Sequence, residues 1–332
     1  MNFFAKFFLT LSLLFFAYIT LVFAQTSRPT AMSQWVYDVY EKKTAAAQAI
    51  KEPKILIVAG SNALFGIDSK MLQNHFGKKV LNYGVNAGVM LPYTLHKAKE
   101  VIKPHDIVLL PLEYHMYTYD GIPNEQMIDY IFSRDFQAFD TLTPKEQFLM
   151  LWNITPKRLY EGYKATGGTK VTQGLYGAHN IDEHGDQLGA TQAAKSDAIA
   201  AELAAHKPND YGAHYTKDLL MWNYLEHFVS WCKTQNVRVI FTPPTMLYFD
   251  EYKTDPKEKH FYQNIAHDIR KKGWQFLGNP YDYMYTKEHY FNTDFHLTNE
   301  AKAIRTKQII TDLTPLLPLG TLKYKSYQNP LS

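Results

Sequence analysis

Lys54-Ile55-Leu56-Ile57-Val58-Ala59-Gly60-Ser61-Asn62 is an apolar run that ends abruptly in a glycine and a serine. With no polar alternation, it reads as a strand buried on both faces, and such strands belong to parallel sheets covered by helices. Working outward, residues 79–83, 106–112, 237–241 and 274–277 carry similar short runs, and 237–241 is closed by Pro243-Pro244. Between them, 70–76, 91–102, 260–272 and 298–313 place apolar residues at helical spacing, with Thr298 or Asn299 as the cap of the last helix. The alternation predicts an α/β fold, a three-layer α/β/α sandwich around a mostly parallel sheet of about five strands. Ligands of such sheets bind at the carboxyl ends of the strands.

Residues 116–222 break the pattern with the aromatic stretch 129–134, Pro144, Pro156, the Gly167-Gly168 pair and an Ala-rich run over 190–206 that reads as an exposed helix. So long an interruption between the third and fourth strands predicts an inserted helical or irregular subdomain, or a lid. The chain then divides into an N-terminal segment 1–24, a linker or helix 25–52, the core halves 53–115 and 223–315 flanking the insertion, and a tail 316–332. At 332 residues and 46% hydrophobic, it can bury a large core. Its 35 basic and 32 acidic residues leave a net charge of +3 without a dense basic run, which gives no reason to expect a nucleic-acid partner. A single cysteine, Cys232, excludes an intramolecular disulfide, and its setting in an amphipathic helical pattern makes it a packing residue.

Residues 7–24 contain no charge and are long enough to cross a bilayer, which makes the membrane a partner of this chain. Two readings stand: an uncleaved anchor, or a signal cut after Ala24, since Val22-Phe23-Ala24 is an acceptable cleavage sequence. Under either, the folded part is expected outside the cytoplasm, anchored to the cytoplasmic membrane or released as a periplasmic or secreted protein.

Ser61 is the sharpest candidate residue. At the end of a strand and the start of a helix it serves either as a helix cap or as a nucleophile beside unpaired backbone N–H groups. Asn82-Tyr83-Gly84-Val85-Asn86-Ala87-Gly88 brings a glycine-bearing turn to the same sheet edge, where the Gly84 N–H can approach a ligand closely. Asp294-Phe295-His296 precedes the last helix and returns an acid and an imidazole to that edge. Glu113 and Tyr114 follow the third strand and either line an acceptor site or begin the insertion as a surface loop. The histidines and carboxylates show no metal-ligand spacing, and no phosphate-binding glycine loop is present, so neither a metal nor a cofactor is expected.

With these blocks in this order, the chain resembles the SGNH, or GDSL-like, hydrolase and acyltransferase superfamily over roughly 53–115 and 236–315. The resemblance implies Ser61 as nucleophile, His296 as general base and then acid, Asp294 as its orienting partner, and the Ser61 and Gly84 N–H groups as oxyanion donors. Asn62 and Asn82 belong to the matching blocks. Two departures stand out. The usual Gly-x-Asn-Asp block after the third strand is replaced by Pro111-Leu112-Glu113-Tyr114-His115, which removes an oxyanion donor that Asn86 could replace, and only one residue separates Asp294 from His296. That spacing, together with an anchor, is similar to members of envelope-polymer acylation systems, those of lipoteichoic acid D-alanylation and alginate O-acetylation. The implied function is a serine acyltransferase or esterase that moves an acetyl or D-alanyl group to or from an envelope polysaccharide or glycolipid, beside a membrane-bound O-acyltransferase partner. The alternatives are a catalytically silent subunit that binds polymer or scaffolds such a complex, and a secreted esterase of small esters.

Overall fold

The computed structural model describes residues 3–164 and 174–317; Gly167-Gly168 and the tail from 318 onward lie outside the described residues. The first part of the chain runs α1 (Phe3–Phe23), α2 (Ala31–Ala49), β1 (Lys54–Ile57), α3 (Ser61–Gly66), α4 (Ser69–Phe76), β2 (Lys79–Asn82), α5 (Met90–Lys99) and β3 (Ile107–Leu110). Then come α6 (Glu125–Arg134), α7 (Pro144–Trp152), α8 (Pro156–Lys164), α9 (Asp197–Ala204), α10 (Tyr211–His214) and α11 (Met221–Thr234). The chain returns through β4 (Arg238–Phe241), β5 (Met246–Leu247), α12 (Glu251–Thr254), α13 (Pro256–Lys271), β6 (Gln275–Phe276), β7 (Met284–Tyr285) and α14 (Asn299–Leu313).

Five of these strands form one parallel sheet in the order β2-β1-β3-β4-β6, and β5 and β7 pair separately. Because strand side chains alternate between faces, each apolar run fills two layers at once. Ile55, Ile57, Val80, Leu109 and Ile240 pack with Leu72 and Phe76 of α4 and with Ile309 and Leu313 of α14. Leu56, Leu81, Val108, Leu110 and Phe241 belong to the larger cluster on the other face, with α2, α5, α11 and α13. The result is the three-layer α/β/α arrangement read from the sequence. At the opposite sheet edge from Ser61, Lys54 and Asp106 form a fully buried ion pair at 2.5 Å, and the Lys54 N–H donates to the same carboxylate at 2.9 Å. That pairing joins the starts of β1 and β3.

Described residues of the segment between β3 and β4 share the core of the sheet. Met127, Ile131 and Phe132 of α6 and Met150 of α7 lie in the same apolar cluster as the strands. Cys232 is buried on α11, where burial pushes its thiol up to about 12, in keeping with a packing role. The Ala-rich run differs from its expected form. Only Asp197–Ala204 is α-helical, because Ser196 caps it from outside and the upstream part is held by tertiary contacts, with Asn299 N–H donating to Ala190 C=O and Lys195 Nζ to Tyr290 C=O.

Candidate active site

The parallel register brings the candidate blocks to one edge: Ile57 sits opposite both Asn82 and Leu109, so the chain leaves all three strands side by side. There Gly60 is the N-cap of α3 without a side-chain cap bond, and Ser61 is the first helical residue. The cap role for Ser61 is thereby removed. Its hydroxyl makes no hydrogen bond among the described residues, and it is half-buried. As a first-turn residue its N–H has no intrahelical acceptor.

The turn is held from two sides by buried charges. Glu113 accepts from Gly60 N–H through Oε2 and from Asn62 N–H through Oε1, both at 2.9 Å. Arg305 of α14 donates to the Asn62 C=O at 2.8 Å and to Asn62 Oδ1 at 2.7 Å, and Asn62 Nδ2 donates to Pro111 C=O at 2.8 Å. Burial lowers the Arg305 pKa, and Tyr285, Tyr283, Tyr290 and, last, the Glu113 carboxylate act against that shift. Glu113 and Asn62, expected beside substrate, are instead the frame of the Ser61 turn. Close packing adds to it: a Cβ on Gly60 would come within 2.5 Å of Ala87, and one on Gly84 within 2.6 Å of the Gly60 C=O.

Gly84 also differs from its expected role. Its N–H donates to Asn82 Oδ1 at 3.0 Å, and its C=O accepts from buried Lys43 Nζ, so the amide already has a partner. Asn82 is fully buried, donating to Ala63 C=O at 2.7 Å and to Asp186 Oδ1 at 2.8 Å. It ties β2 to α3 and does not face a substrate. Asn86 accepts from Gly88 N–H at 2.5 Å and is only partly buried, while its Nδ2 makes no hydrogen bond among the described residues. It keeps a free donor next to Ala87, the residue packed on Gly60. Tyr114 departs most from expectation. Its ring is buried against Phe261 and Tyr262, with centroids 5.6 and 5.0 Å away, and it belongs to the core. His115 stays at the edge, its Nε2 3.2 Å from Ala87 C=O.

His296 lies on a loop closed by the Tyr290–Leu297 bridge and by Phe291 N–H donating to the His296 C=O at 2.7 Å. That closure folds residue 292 back onto residue 296. His296 Nδ1 is 2.8 Å from Asn292 Oδ1 and 3.4 Å from Tyr176 Oη, and Asn292 Nδ2 donates to Tyr176 Oη at 2.7 Å, so the shorter contact is the one an Nδ1 proton would make. In that tautomer Nε2 is the unprotonated nitrogen. Asp294, the expected orienting partner, does not bond His296: its Oδ2 accepts from Asn209 Nδ2 at 2.9 Å, and its C=O accepts from Leu247 N–H. With burial and no carboxylate at hand, the His296 pKa falls to about 3. The imidazole stacks on Phe65, four residues along α3 from Ser61 and therefore on the same helix face. No direct Ser61–His296 hydrogen bond is formed.

Asn292, Tyr176, Phe65 and Arg305 escaped the sequence reading. The sequence signal for Asn292 is its spacing of four residues before His296. Away from this edge, His96, Glu100 and Asp135 bring ligand atoms within 4.8 Å of one another, but Lys97 Nζ already lies 2.7 Å from Glu100 and 3.9 Å from Asp135. A cation of the chain itself serves that cluster. No protein-family model and no curated protein matches the chain.

Proposed function

We propose that the chain is an extracytoplasmic serine acyltransferase or esterase of the SGNH type, acting on an envelope glycan or glycolipid through an acyl-Ser61 intermediate. The observation that carries this reading is a Ser61 hydroxyl without a hydrogen bond among the described residues at the start of α3, with the His296 imidazole stacked on Phe65 one turn along the same helix. In the reaction, Ser61 Oγ attacks the acyl carbonyl carbon while its proton passes to His296 Nε2. The leaving alcohol takes that proton, and acyl-Ser61 remains. An acceptor hydroxyl, or water, then gives its proton to His296 and attacks the ester, and Ser61 regains its proton as the acyl group departs. The Ser61 N–H and Asn86 Nδ2 are the donors available for the oxyanion. Intact mass after p-nitrophenyl acetate tests the reading: acetyl-Ser61 that persists in water and is discharged by glycan supports transfer, rapid discharge by water alone supports hydrolysis, and no acetylation contradicts both.

A second reading, a catalytically silent subunit that binds polymer or scaffolds a membrane-bound O-acyltransferase, is favoured by the occupied Gly84 amide and by the absence of a carboxylate on His296. Ser61→Ala separates the two, since a scaffold keeps complementing a deletion strain and an enzyme does not.

A further inference from the structure

α1 is uncharged but for Lys6, 21 residues long and exposed over most of its surface, and at 1.5 Å per residue it spans about 31 Å, the thickness of a bilayer hydrocarbon core. Its contacts with helices α7 and α8 and with Phe136 lie near its end. Tyr18 Oη donates to the Leu151 C=O of α7 at 2.7 Å, Phe23 meets Phe136 edge-on, and Gln25 accepts from Arg158 of α8 at 3.4 Å. Tyr18 lies five residues before Phe23, ~7.5 Å inside the end of the helix, and helical side chains lean toward the N-terminus. Leu151 therefore sits at or below that depth.

On either side of Leu151, α7 turns Phe148 and Trp152 outward, 60% and 71% exposed, with ring centroids 6.0 Å apart in a stack. Two large rings this exposed bury no core surface. The next helix adds exposed Tyr160 and Tyr163, with Lys164 Nζ 4.4 Å over the Tyr160 ring. Aromatic residues with nearby lysines are the composition of a membrane interface, and interfacial helices sink about 5–10 Å into it.

We propose that α7 lies in the outer boundary of the bilayer that α1 crosses, with Phe148 and Trp152 among the acyl chains, so that the folded part is docked flat on the membrane and not tethered at a distance. The Tyr18–Leu151 bond sets the depth of both helices together. This inference is independent of the acyl chemistry and holds for an enzyme or a scaffold.

The test uses the full chain reconstituted in phosphatidylcholine vesicles carrying bromines at acyl carbons 6 and 7, which quench tryptophan at the depth of the outer hydrocarbon. The expected result is strong quenching of which Trp152→Phe removes more than half, while Trp231→Phe, on α11, leaves it in place. Quenching that Trp152→Phe does not change, or none at all, overturns the proposal, the latter pointing to a protein partner on this face.

Discussion

His296 lies flat on Phe65, the ring centroids 4.0 Å apart and the planes 9° apart. Because Phe65 and Ser61 share one short helix, whatever fixes the phenyl ring also fixes the imidazole relative to the serine. Phe65→Ala is expected to cost about 3–5 kcal/mol of stability through the cavity it leaves. Phe65→Leu retains most of the burial but not the flat surface. Its unfolding midpoint should fall less, while ester turnover drops roughly 10- to 100-fold, the scale of an ångström's misplacement; equal turnover in Phe65→Leu and wild type would remove the stack from the mechanism.

Asn292 and not Asp294 holds Nδ1, so the two substitutions should separate. Asn292→Leu removes the 2.8 Å partner of the ring and is expected to lower turnover more than Asp294→Asn, whose side chain bonds Asn209 and not His296. Asn292→Asp puts a carboxylate against Nδ1 and raises the His296 pKa, since an opposite charge favours the protonated ring. The acid limb of the pH–rate profile should then move to higher pH. A profile that does not move rules out His296 as the titrating base.

The pH dependence of stability has a definite sign. His296 has a folded pKa of about 3 against an ordinary 6.5, so between those values the unfolded chain binds the extra proton. Stability is therefore lost as pH falls from 6.5 toward 3, by up to about 1.4 kcal/mol per unit. Asp186 acts in the opposite direction, its carboxyl raised by burial from 3.8 to about 6. The difference between wild type and His296→Gln isolates the histidine. In urea titrations at pH 6.5 and 4.5, the wild type should lose more stability than the variant, and parallel losses would contradict the buried neutral ring.

Glu113 is expected to behave as a structural clamp. Glu113→Gln offers only one acceptor oxygen where two N–H groups point, and should cost about 1–3 kcal/mol. Arg305→Met leaves the buried Asn62 C=O and Oδ1 without their charged donor and should cost more, about 3 kcal/mol or above. Thermal unfolding of the two variants checks the order.

The sheet was legible because its strands are continuous apolar runs, a pattern that needs no tertiary information: the five runs beginning near Lys54, Lys79, Asp106, Val237 and Trp274 each became a strand of one parallel sheet. Ser61 could be placed at the sheet edge for the same reason. What decided its surroundings was long-range. Glu113 and Arg305 reach the turn from β3 and α14, and neither contact leaves a periodic trace. Which side chain meets His296 Nδ1 depends on how the 290–297 loop closes, and Tyr114, expected at an acceptor site or in a surface loop, is buried by an aromatic cluster that comes from α13. Local pattern fixes which edge holds a site, and tertiary folding fixes which atoms face it.

Reaction of the folded chain with a fluorophosphonate shows whether Ser61 is a nucleophile activated by His296. The prediction is one covalent adduct, mapped by peptide mass to Ser61, absent in Ser61→Ala and at least tenfold slower to form in His296→Ala. An unmodified wild type, or labelling that Ser61→Ala and His296→Ala leave unchanged, would contradict it.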